Sequence, residues 1–325
     1  MYLLSRRALV VLACAAGAFG SAMAQSSYPG QPIKMIVPFP PAGGTDAVAR
    51  LVGEKLQSVA GWAVVIDNKP GAGGNIGMDV LAKSKPDGLT LAMGQTSNLA
   101  INPALYAKMP YDAHKDVVAV ALVATQPMVL VVRADAPYKT LGDLVAAAKS
   151  KPGELTMASA GNGTVGHLTG ELFARRAGFQ HVHVPYKGAG PAITDLLGGQ
   201  VTYYLSTPQA VAGFVKAGRV RALAVSSAKR LPMLPDTPTI SESGYKGFDT
   251  TDWKMVVAPA GTPADVVKRV NAEVQKILGK PETMATLLAE GSLPTTGPPE
   301  QAAQFLRAEQ QRWGAVVRDA KVKVD

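Results

Sequence analysis

Short apolar runs alternate with segments of helical spacing along most of the chain, and this alternation constrains the fold more than any other feature. It predicts strands at 34–38, 63–68 and 89–94, a helix at 45–59 and a second helix that ends near residue 85. Strands separated by helices pair in parallel, because each crossover passes over the face of the sheet. The sequence therefore predicts an α/β fold that opens with a βαβαβ unit.

The alternation resumes after two long apolar runs, at 117–123 and 128–133. Strands and helices again follow each other up to about residue 226, another strand is predicted at 253–258, and three helical segments close the chain. We expect two α/β lobes joined by long strands, with a ligand cleft between them. Lobe 1 is predicted to consist of 25–127 and 246–325, and lobe 2 of 128–245.

The N-terminal segment has the pattern of an export signal. Arg6 and Arg7 precede an apolar stretch at 8–20, and Ala22-Met23-Ala24 matches an A-x-A cleavage signature. The apolar stretch is shorter than the roughly 20 residues that a membrane span needs. We therefore expect 1–24 to be a signal peptide and the mature chain to be exported and soluble. The arginine pair leaves both ordinary secretion and twin-arginine export open.

Cys14 is the only cysteine of the chain and lies inside the predicted signal peptide. Leu12 stands where a lipoprotein box usually has a small residue, so lipidation of Cys14 is the less favoured alternative. If Cys14 is removed with the signal peptide, the mature chain has no thiol. A disulfide, a catalytic cysteine and a cysteine-ligated metal are then excluded.

The mature chain is predicted to be basic. Without Arg6 and Arg7, 31 of the 33 Lys and Arg residues remain against 24 Asp and Glu, which gives a net charge of +7. The cations are scattered, and no aromatic residues interleave with basic runs as a nucleic-acid platform would require. Nucleic acid is therefore disfavoured as a partner, whereas an anionic ligand is compatible with this charge.

Four segments at the predicted carboxyl ends of strands share one chemistry. They consist mainly of glycines, small hydroxyl residues and amides, each leads into a helix, and they lie at 39–46, 95–98, 159–164 and 206–207. Free N–H groups at a helix start carry about half a positive charge and bind anions. None of the four segments contains Lys or Arg, so they predict an uncharged anion cradle. The alternative is that these residues are ordinary helix caps.

A serine hydrolase is the rival class. Ser159 lies at a predicted strand-to-helix turn and His167 follows eight residues later. The nucleophile elbow G-x-S-x-G is absent, because Met157 stands in place of its first glycine. A catalytic role for Ser159 therefore depends only on the nearby histidine.

A metal site and a phosphate loop are also weighed. His181 and His183 alternate on a predicted strand and so share a face, but the chain has no H-E-x-x-H motif to support a metal site. The segment "KPGAGGNIG" at 69–77 fits neither the Walker pattern nor G-x-G-x-x-G. We expect a half-buried strand and a tight turn, with no metal or cofactor.

Seven motifs in order resemble the tripartite tricarboxylate transporter solute-binding family, often called Bug-type receptors. They cover essentially the whole mature chain: "YPGQPIKMIVPFPPAGGTDAVAR", "NKPGAGGNIG", "KPDGLTLAMG", "INPALYAKMPYDAHKD", "ASAGNGTVGHLTGELF", "HVPYKGAGPAITDLLGGQV" and "LPDTPTISESGYKGFDTTDW". The resemblance implies a two-lobed periplasmic binding protein fold and a receptor without enzymatic activity. Such a receptor closes on a small carboxylated solute and delivers it to a membrane permease. We expect it to act as a monomer.

The resemblance also implies the residues that contact the ligand. One end of the ligand would be held, partly through ordered water, by the first-strand loop: Phe39, Pro40, Ala42, Gly43, Thr45 and Asp46. A carboxylate would be held by the second-lobe loop: Ser159, Gly161, Gly163, Thr164 and His167. The sides and the closure of the cleft would be formed by Thr96, Ser97, Ser206, Thr207, Asp252 and Trp253.

The sequence departs from the family pattern in two places. Ala42 replaces a frequent glycine, and Lys254 follows Trp253 where a small residue is common. Lys254 is interpreted as a surface charge or, alternatively, as a selectivity residue that reaches the cleft. Asp46 is predicted to organise its loop rather than to touch the ligand, because its carboxylate would repel an anion. A sensor that feeds a signalling partner is a further alternative to a transport receptor.

Overall fold

The computed structural model of the chain describes residues 28–41 and 43–320, without the side chain of Ala320. The predicted signal peptide at 1–24, with Cys14, lies outside the described residues. The predicted ligand contact Ala42 also lies outside them.

Strands and helices alternate along most of the described chain, except that β5 follows β4, β10 follows β9 and two helices follow each other after β10. The first part contains β1 (Ile33–Val37), α1 (Gly44–Ala60), β2 (Val64–Asn68), a 3-10 turn (Ala72–Gly74), α2 (Asn75–Ala82), β3 (Thr90–Gln95), a π-helix (Ser97–Ile101), α3 (Asn102–Leu105) and β4 (Val117–Pro127). The middle part contains β5 (Val129–Arg133), α4 (Leu141–Ser150), β6 (Thr156–Ser159), α5 (Val165–Ala177), β7 (Val182–Pro185), α6 (Ala189–Leu197), β8 (Tyr203–Ser206), α7 (Pro208–Lys216) and β9 (Val220–Val225). The last part contains β10 (Thr251–Pro259), α8 (Ala264–Leu278), α9 (Pro281–Ala289), β11 (Leu293–Pro294) and α10 (Pro299–Ala320).

The first sheet has the strand order β11-β4-β10-β3-β1-β2. β1 pairs in parallel with β2 and β3, as the opening alternation predicts. β10 runs antiparallel to both β3 and β4, and β11 runs antiparallel to β4. The sheet is therefore mixed rather than wholly parallel. β4 leads the chain out of this sheet and β10 brings it back, so these two strands run in opposite directions.

The second sheet has the strand order β7-β6-β8-β5-β9. Here β6 pairs in parallel with β7 and β8, whereas β5 runs antiparallel to β8 and β9. The pairing is mixed for the same reason as in the first sheet. β5 follows β4 along the chain and is one of the strands through which the chain passes between the sheets. Each sheet thus combines parallel strands with antiparallel strands, some of which carry the chain from one sheet to the other. The fold is a two-lobed α/β fold.

The two crossings of the chain meet at Ser226. Its Oγ accepts the N–H of Met128, at 2.8 Å, and donates to the carbonyl of Thr250, at 2.5 Å. Its backbone adds two bonds, from Ser226 N–H to Met128 O and from Thr250 N–H to Ser226 O, each 2.9 Å long. Ser226 is fully buried. One residue therefore ties the outgoing segment to the returning segment where the lobes meet.

The hydrophobic core covers both faces of each sheet. α1 and α8 pack on one face of the first sheet, where α1 contributes the spaced apolar residues Val48, Val52 and Leu56. The other face is continuous with a cluster that reaches into the second lobe and includes Trp253 and Trp313. α10 contacts both β4 and α5. The C-terminal helix therefore packs behind the crossing and links the two lobes.

Within the described ranges, no helix combines the length and the apolar composition that crossing a lipid bilayer would require.

Replacing Ser226 with alanine is expected to destabilise the fold. Two buried backbone groups, the N–H of Met128 and the carbonyl of Thr250, lose a partner, which costs about 2 kcal/mol. The free energy of unfolding in urea measures this loss. The control is Ser58→Ala, at an exposed position of α1, which is expected to change the stability by less than about 0.5 kcal/mol. Equal stability of the two variants would contradict the role assigned to Ser226.

Candidate functional site

A cleft of about 680 Å³ lies between the two sheets. Lobe 1 contributes residues from the β1–α1 loop, the end of β3, β4 and β10, and lobe 2 contributes residues from the loops that precede α5, α6 and α7. Its volume is in the range of sites for small ligands. The cleft therefore lies where the carboxyl ends of the parallel strands face each other across the two lobes.

Four helices begin at this cleft. The first residue or the capping residue of each lines the cavity: Gly43 and Gly44 for α1, Thr164 and Val165 for α5, Gly188 and Ala189 for α6, and Thr207 for α7. Each of these helices has at least nine residues. The N–H groups of a first helical turn have no partner inside the helix, and their partial positive charge points out of the helix start.

Only one of the four helices has an N-cap residue whose side chain accepts an N–H of the first turn. Thr164 Oγ1 accepts the N–H of His167 at the start of α5. In the described part of the chain, no side chain caps α1, α6 or α7. Among the four loops predicted from the sequence, the interpretation as side-chain helix caps therefore fails for those before α1 and α7, and the loop before α6 is uncapped as well. Pro191 in α6 and Pro208 in α7 have no N–H, and the Ala210 N–H of α7 is bonded to the Thr207 carbonyl, so these two helix starts offer fewer N–H groups than that of α1. Together the helix starts still favour an anion in the cleft.

Asp46 stabilises the β1–α1 loop from a position outside the cleft. Its carboxylate accepts bonds from Arg50 Nε at 2.8 Å and from Asn68 Nδ2 at 2.9 Å. Asn68 Nδ2 also donates to the carbonyl of Phe39, at 3.0 Å. Asp46 is 2% exposed and does not line the cleft. Its contacts thus connect α1, the end of β2 and the loop that holds Phe39.

Gln95 orients the hydroxyl groups on the lobe-1 side. Its Oε1 accepts from Thr45 Oγ1 at 2.6 Å, and its Nε2 donates to Ser97 Oγ at 3.0 Å. All three residues line the cleft. Thr96 lies behind them, fully buried, with its Oγ1 accepting the N–H of Trp253. Thr96 therefore fixes β3 to β10 and does not reach the cavity.

The second-lobe loop is held by Ser159. Ser159 Oγ lies 2.7 Å from His183 Nε2 and accepts the N–H of Gly161 at 3.2 Å. Thr164 Oγ1 donates to the carbonyl of Gly161, at 2.8 Å. Ser159 is fully buried, and neither Ser159 nor Gly161 lines the cleft. Both residues shape the loop that presents Gly163 and Thr164.

His167 binds the backbone of the same loop. Its Nδ1 accepts the N–H of Gly163 at 3.1 Å, so this nitrogen carries no proton. The ring stacks on His183 with 3.7 Å between the ring centres. Burial lowers the pKa of both histidines to about 4, partly opposed by the carboxylate of Glu171. Both rings are therefore neutral near pH 7.

This arrangement separates Ser159 from His167. The ring nitrogen beside Ser159 Oγ belongs to His183, and His167 is bonded to the loop backbone instead. His181 is bonded elsewhere, with its Nδ1 2.8 Å from Tyr203 OH and its Nε2 3.0 Å from Glu171 Oε1. Across the residues that the structure describes, no cluster of three or more His, Cys, Asp or Glu side chains could hold a metal ion.

The lobe-1 side of the cleft contains a buried ion pair. Lys254 Nζ lies 2.6 Å from Asp252 Oδ2 and 3.2 Å from Gln126 Oε1. Lys254 is 2% exposed, and all three residues line the cavity. The preferred interpretation of Lys254 as a surface charge is therefore wrong. The cleft therefore contains charged side chains, and besides this ion pair Lys187 lines it on the other side.

Trp253 faces away from the cleft. Successive residues of a strand point to opposite faces, so Asp252 and Lys254 reach the cavity while Trp253 points into the core. Its ring is fully buried, and its Nε1 donates to Glu309 Oε2 at 2.9 Å. Trp313 Nε1 donates to the same oxygen. Trp253 thus anchors α10 to β10.

The cleft brings together ten of the predicted contact residues: Phe39, Pro40, Gly43, Thr45, Ser97, Gly163, Thr164, Ser206, Thr207 and Asp252. Six other predicted residues are described but do not line it: Asp46, Thr96, Ser159, Gly161, His167 and Trp253.

Gln95 lies in the predicted segment 95–98 but was not named as a contact, and Lys254 was expected in the cleft only as an alternative. Two further lining positions were not predicted from the sequence: Gln126 and the segment 187–190. The last of these had a recognisable signal, because "KGAG" follows a predicted strand and precedes a helix like the other four loops. Gln126 had none beyond being a polar residue between two apolar runs.

Comparisons with known proteins agree with this architecture. The family model for the tripartite tricarboxylate transporter family receptor matches residues 48–322. The chain is 37% identical to protein BugT of Bordetella pertussis over 318 residues, which cover 98% of each chain. It is similar to the structure of R. palustris Rpa4515 with adipate, with a TM-score of 0.84, 35% identity and coverage of 91% of this chain and 99% of that one. It is also similar to the periplasmic binding protein BugD, with a TM-score of 0.80, 34% identity and coverage of 91% and 99%.

The histidines under the second-lobe loop are expected to make the fold acid-sensitive. Their folded pKa values, about 4, lie below the ordinary 6.5, so the unfolded chain binds more protons between these values. The free energy of unfolding should therefore fall as the pH drops from 6.5 to 4, by on the order of 2 kcal/mol. Water screens the partly exposed His183, which reduces its contribution to this loss.

Urea unfolding across this pH range measures the loss. The double variant His167→Gln/His183→Gln is expected to show a flatter dependence on pH, although Glu171 and His181 remain nearby. His114→Gln, at an exposed histidine outside this group, serves as the control and should keep the full slope. A wild-type stability that stays constant from pH 6.5 to pH 4 would refute the assignment.

Proposed function

Because the chain belongs to the tripartite tricarboxylate transporter receptor family, we propose that it is a periplasmic receptor that captures a small carboxylate between its two lobes. Four helix starts on one cleft are the observation that carries this proposal. Their N–H groups bind a carboxylate without a guanidinium partner, because each helix start supplies about half a positive charge.

Capture by closure follows from the division of the site. One helix start belongs to lobe 1 and three belong to lobe 2, so a ligand that touches all of them is enclosed only when the lobes approach each other. Such a ligand stabilises the closed state by its higher affinity for that state over the open one. The proposed lobe limits are 25–127 with 246–325 for lobe 1 and 128–245 for lobe 2.

The proposed contacts are the predicted residues that line the cleft, with the loop residues behind them in a supporting role. Asp46, Ser159, Gly161 and His167 act on the ligand through the loops that they hold. Thr96 and Trp253 act through the position of β10.

The proposed partner is the membrane permease of a tripartite tricarboxylate transporter, to which the receptor delivers its solute as a monomer in the periplasm. Family membership and similarity to a periplasmic binding protein support this proposal. We also propose that the cleft binds without turnover, since Ser159 and His167 are not bonded to each other and the relatives give the hydrolase alternative no support.

The ligand is tested on purified mature protein. Mass spectrometry of small molecules released by denaturation is expected to find a carboxylic acid, and titration calorimetry with that acid is expected to show saturable binding to one site per chain. Incubation with activated esters should release no product beyond the background. Turnover of esters that is lost in Ser159→Ala would favour the hydrolase instead.

Gly163→Ala is expected to weaken binding of the released acid at least tenfold, or about 1.4 kcal/mol. Gly163 has a φ of 71°, and a Cβ there would overlap the Leu105 side chain of the opposite lobe. The added methyl group therefore obstructs closure. Titration calorimetry measures the change in affinity.

The matched control is Gly178→Ala. Gly178 ends α5 with a φ of 70° and has open space around it, so its substitution imposes the same backbone strain without the contact. This variant should lose stability and keep the wild-type affinity. An unchanged affinity in Gly163→Ala would argue against closure at this contact.

A further inference from the structure

The ion pair on β10 provides the cleft with a hydrogen-bond donor at a fixed place. The Lys254 ammonium has three N–H groups, and two of them point at Asp252 Oδ2 and Gln126 Oε1. Gln126 is held in turn by Ser292, at 3.2 Å from its Nε2. The ammonium is therefore positioned by two buried acceptors, and one of its N–H groups is left for a third acceptor.

Asp252 is already engaged by the protein. Its Oδ2 accepts from Lys254, and its Oδ1 accepts the N–H of Trp253 at 3.0 Å. The charged side chains that line the cleft are Asp252, Lys254 and Lys187, which together carry one net positive charge. A ligand group beside Lys254 is consequently favoured when it is an acceptor with negative charge and disfavoured when it is an ammonium.

Lys254 lies within reach of the α1 helix start. A Cβ at Gly44 would lie 4.0 Å from Gln126 Oε1, the same atom that is 3.2 Å from Lys254 Nζ. A short ligand whose carboxylate binds the N–H groups at the start of α1 can therefore place its other end at Lys254. A ligand with only a few carbon atoms can span the distance between the two points.

We propose that Lys254 is the specificity-determining residue of the cleft and that it selects short dicarboxylates over monocarboxylates and amino acids of the same length. One carboxylate occupies the helix starts, and the second accepts the remaining N–H of Lys254. This inference rests on the proposed function, because it takes the first carboxylate of the ligand to be bound at the helix starts and assigns the second carboxylate to Lys254.

Matched acids that differ only at the far end test this assignment by titration calorimetry. With two, three and four methylenes, the diacids are succinate, glutarate and adipate, and each is compared with its monoacid and its ω-amino acid. At the length that binds best, the wild-type protein is expected to bind the diacid at least about tenfold tighter than either relative.

The double variant Asp252→Asn/Lys254→Met removes both charges, so that no buried charge is left unpaired. The preference for the diacid over the monoacid should fall below about twofold in this variant, because the diacid loses the partner of its second carboxylate. Lys149→Met, at an exposed lysine of α4 outside the cleft, changes the net charge alone and should keep the wild-type preference.

A second measurement needs no variant. In wild-type protein with nitrogen-15-labelled lysine, the diacid is expected to shift the buried Lys254 Nζ resonance, and the monoacid is not.

Equal binding of diacid and monoacid by the wild type, or a preference that persists in the double variant, would overturn the role of Lys254 and leave the receptor function intact. Absence of a diacid-specific shift in the lysine spectrum would overturn it as well. Failure of every acid to bind would refute both the receptor function and this inference.

Discussion

Ser226 joins the two segments through which the chain passes between the lobes, and the geometry of the cleft depends on this junction. Its hydroxyl group and backbone bind Met128 on the outgoing segment and Thr250 on the returning one. Both segments are therefore fixed relative to each other at one point. The strand ends of both sheets therefore face the same space, which is what allows helix starts from two lobes to act on one ligand.

The electrostatics of the cleft divide into two kinds of contact. Backbone N–H groups at the helix starts provide a diffuse positive potential that suits any small anion. The Lys254–Asp252 pair is different, because it is local, buried and oriented by Gln126. Buried pairs cost much of their attraction in desolvation and contribute little to stability. A pair of this kind in a ligand cleft is better explained by discrimination between ligands than by stabilisation of the fold.

The sequence carried enough information for the alternation of strands and helices, for the two lobes, and for the loops that follow the parallel strands. It did not reveal the antiparallel pairing of β10, because pairing direction depends on contacts between distant segments. The side of β10 that faces the cleft was predicted only in part for the same reason, because Asp252 lines the cleft whereas Trp253 does not. Trp253 and Lys254 are adjacent in sequence, and only the pleat of a strand placed in a sheet decides that Lys254 faces the ligand while Trp253 binds Glu309. Resemblance pointed to the loop residues but not to which of them touch the cavity.

The lobes of this structure already approach each other at the ends of the cleft. Gly163 lies against Leu105 of the other lobe, and the start of α1 lies close to Gln209 of α7. These contacts involve a glycine, one leucine side chain and an amide, and by themselves they bury little apolar surface. The proposed delivery to a permease would require that the lobes gain little from closing without ligand, because closed lobes without ligand would compete with loaded receptors for the permease. In the proposed capture by closure, a ligand favours the closed state most when it bonds to groups on both sides of the cleft.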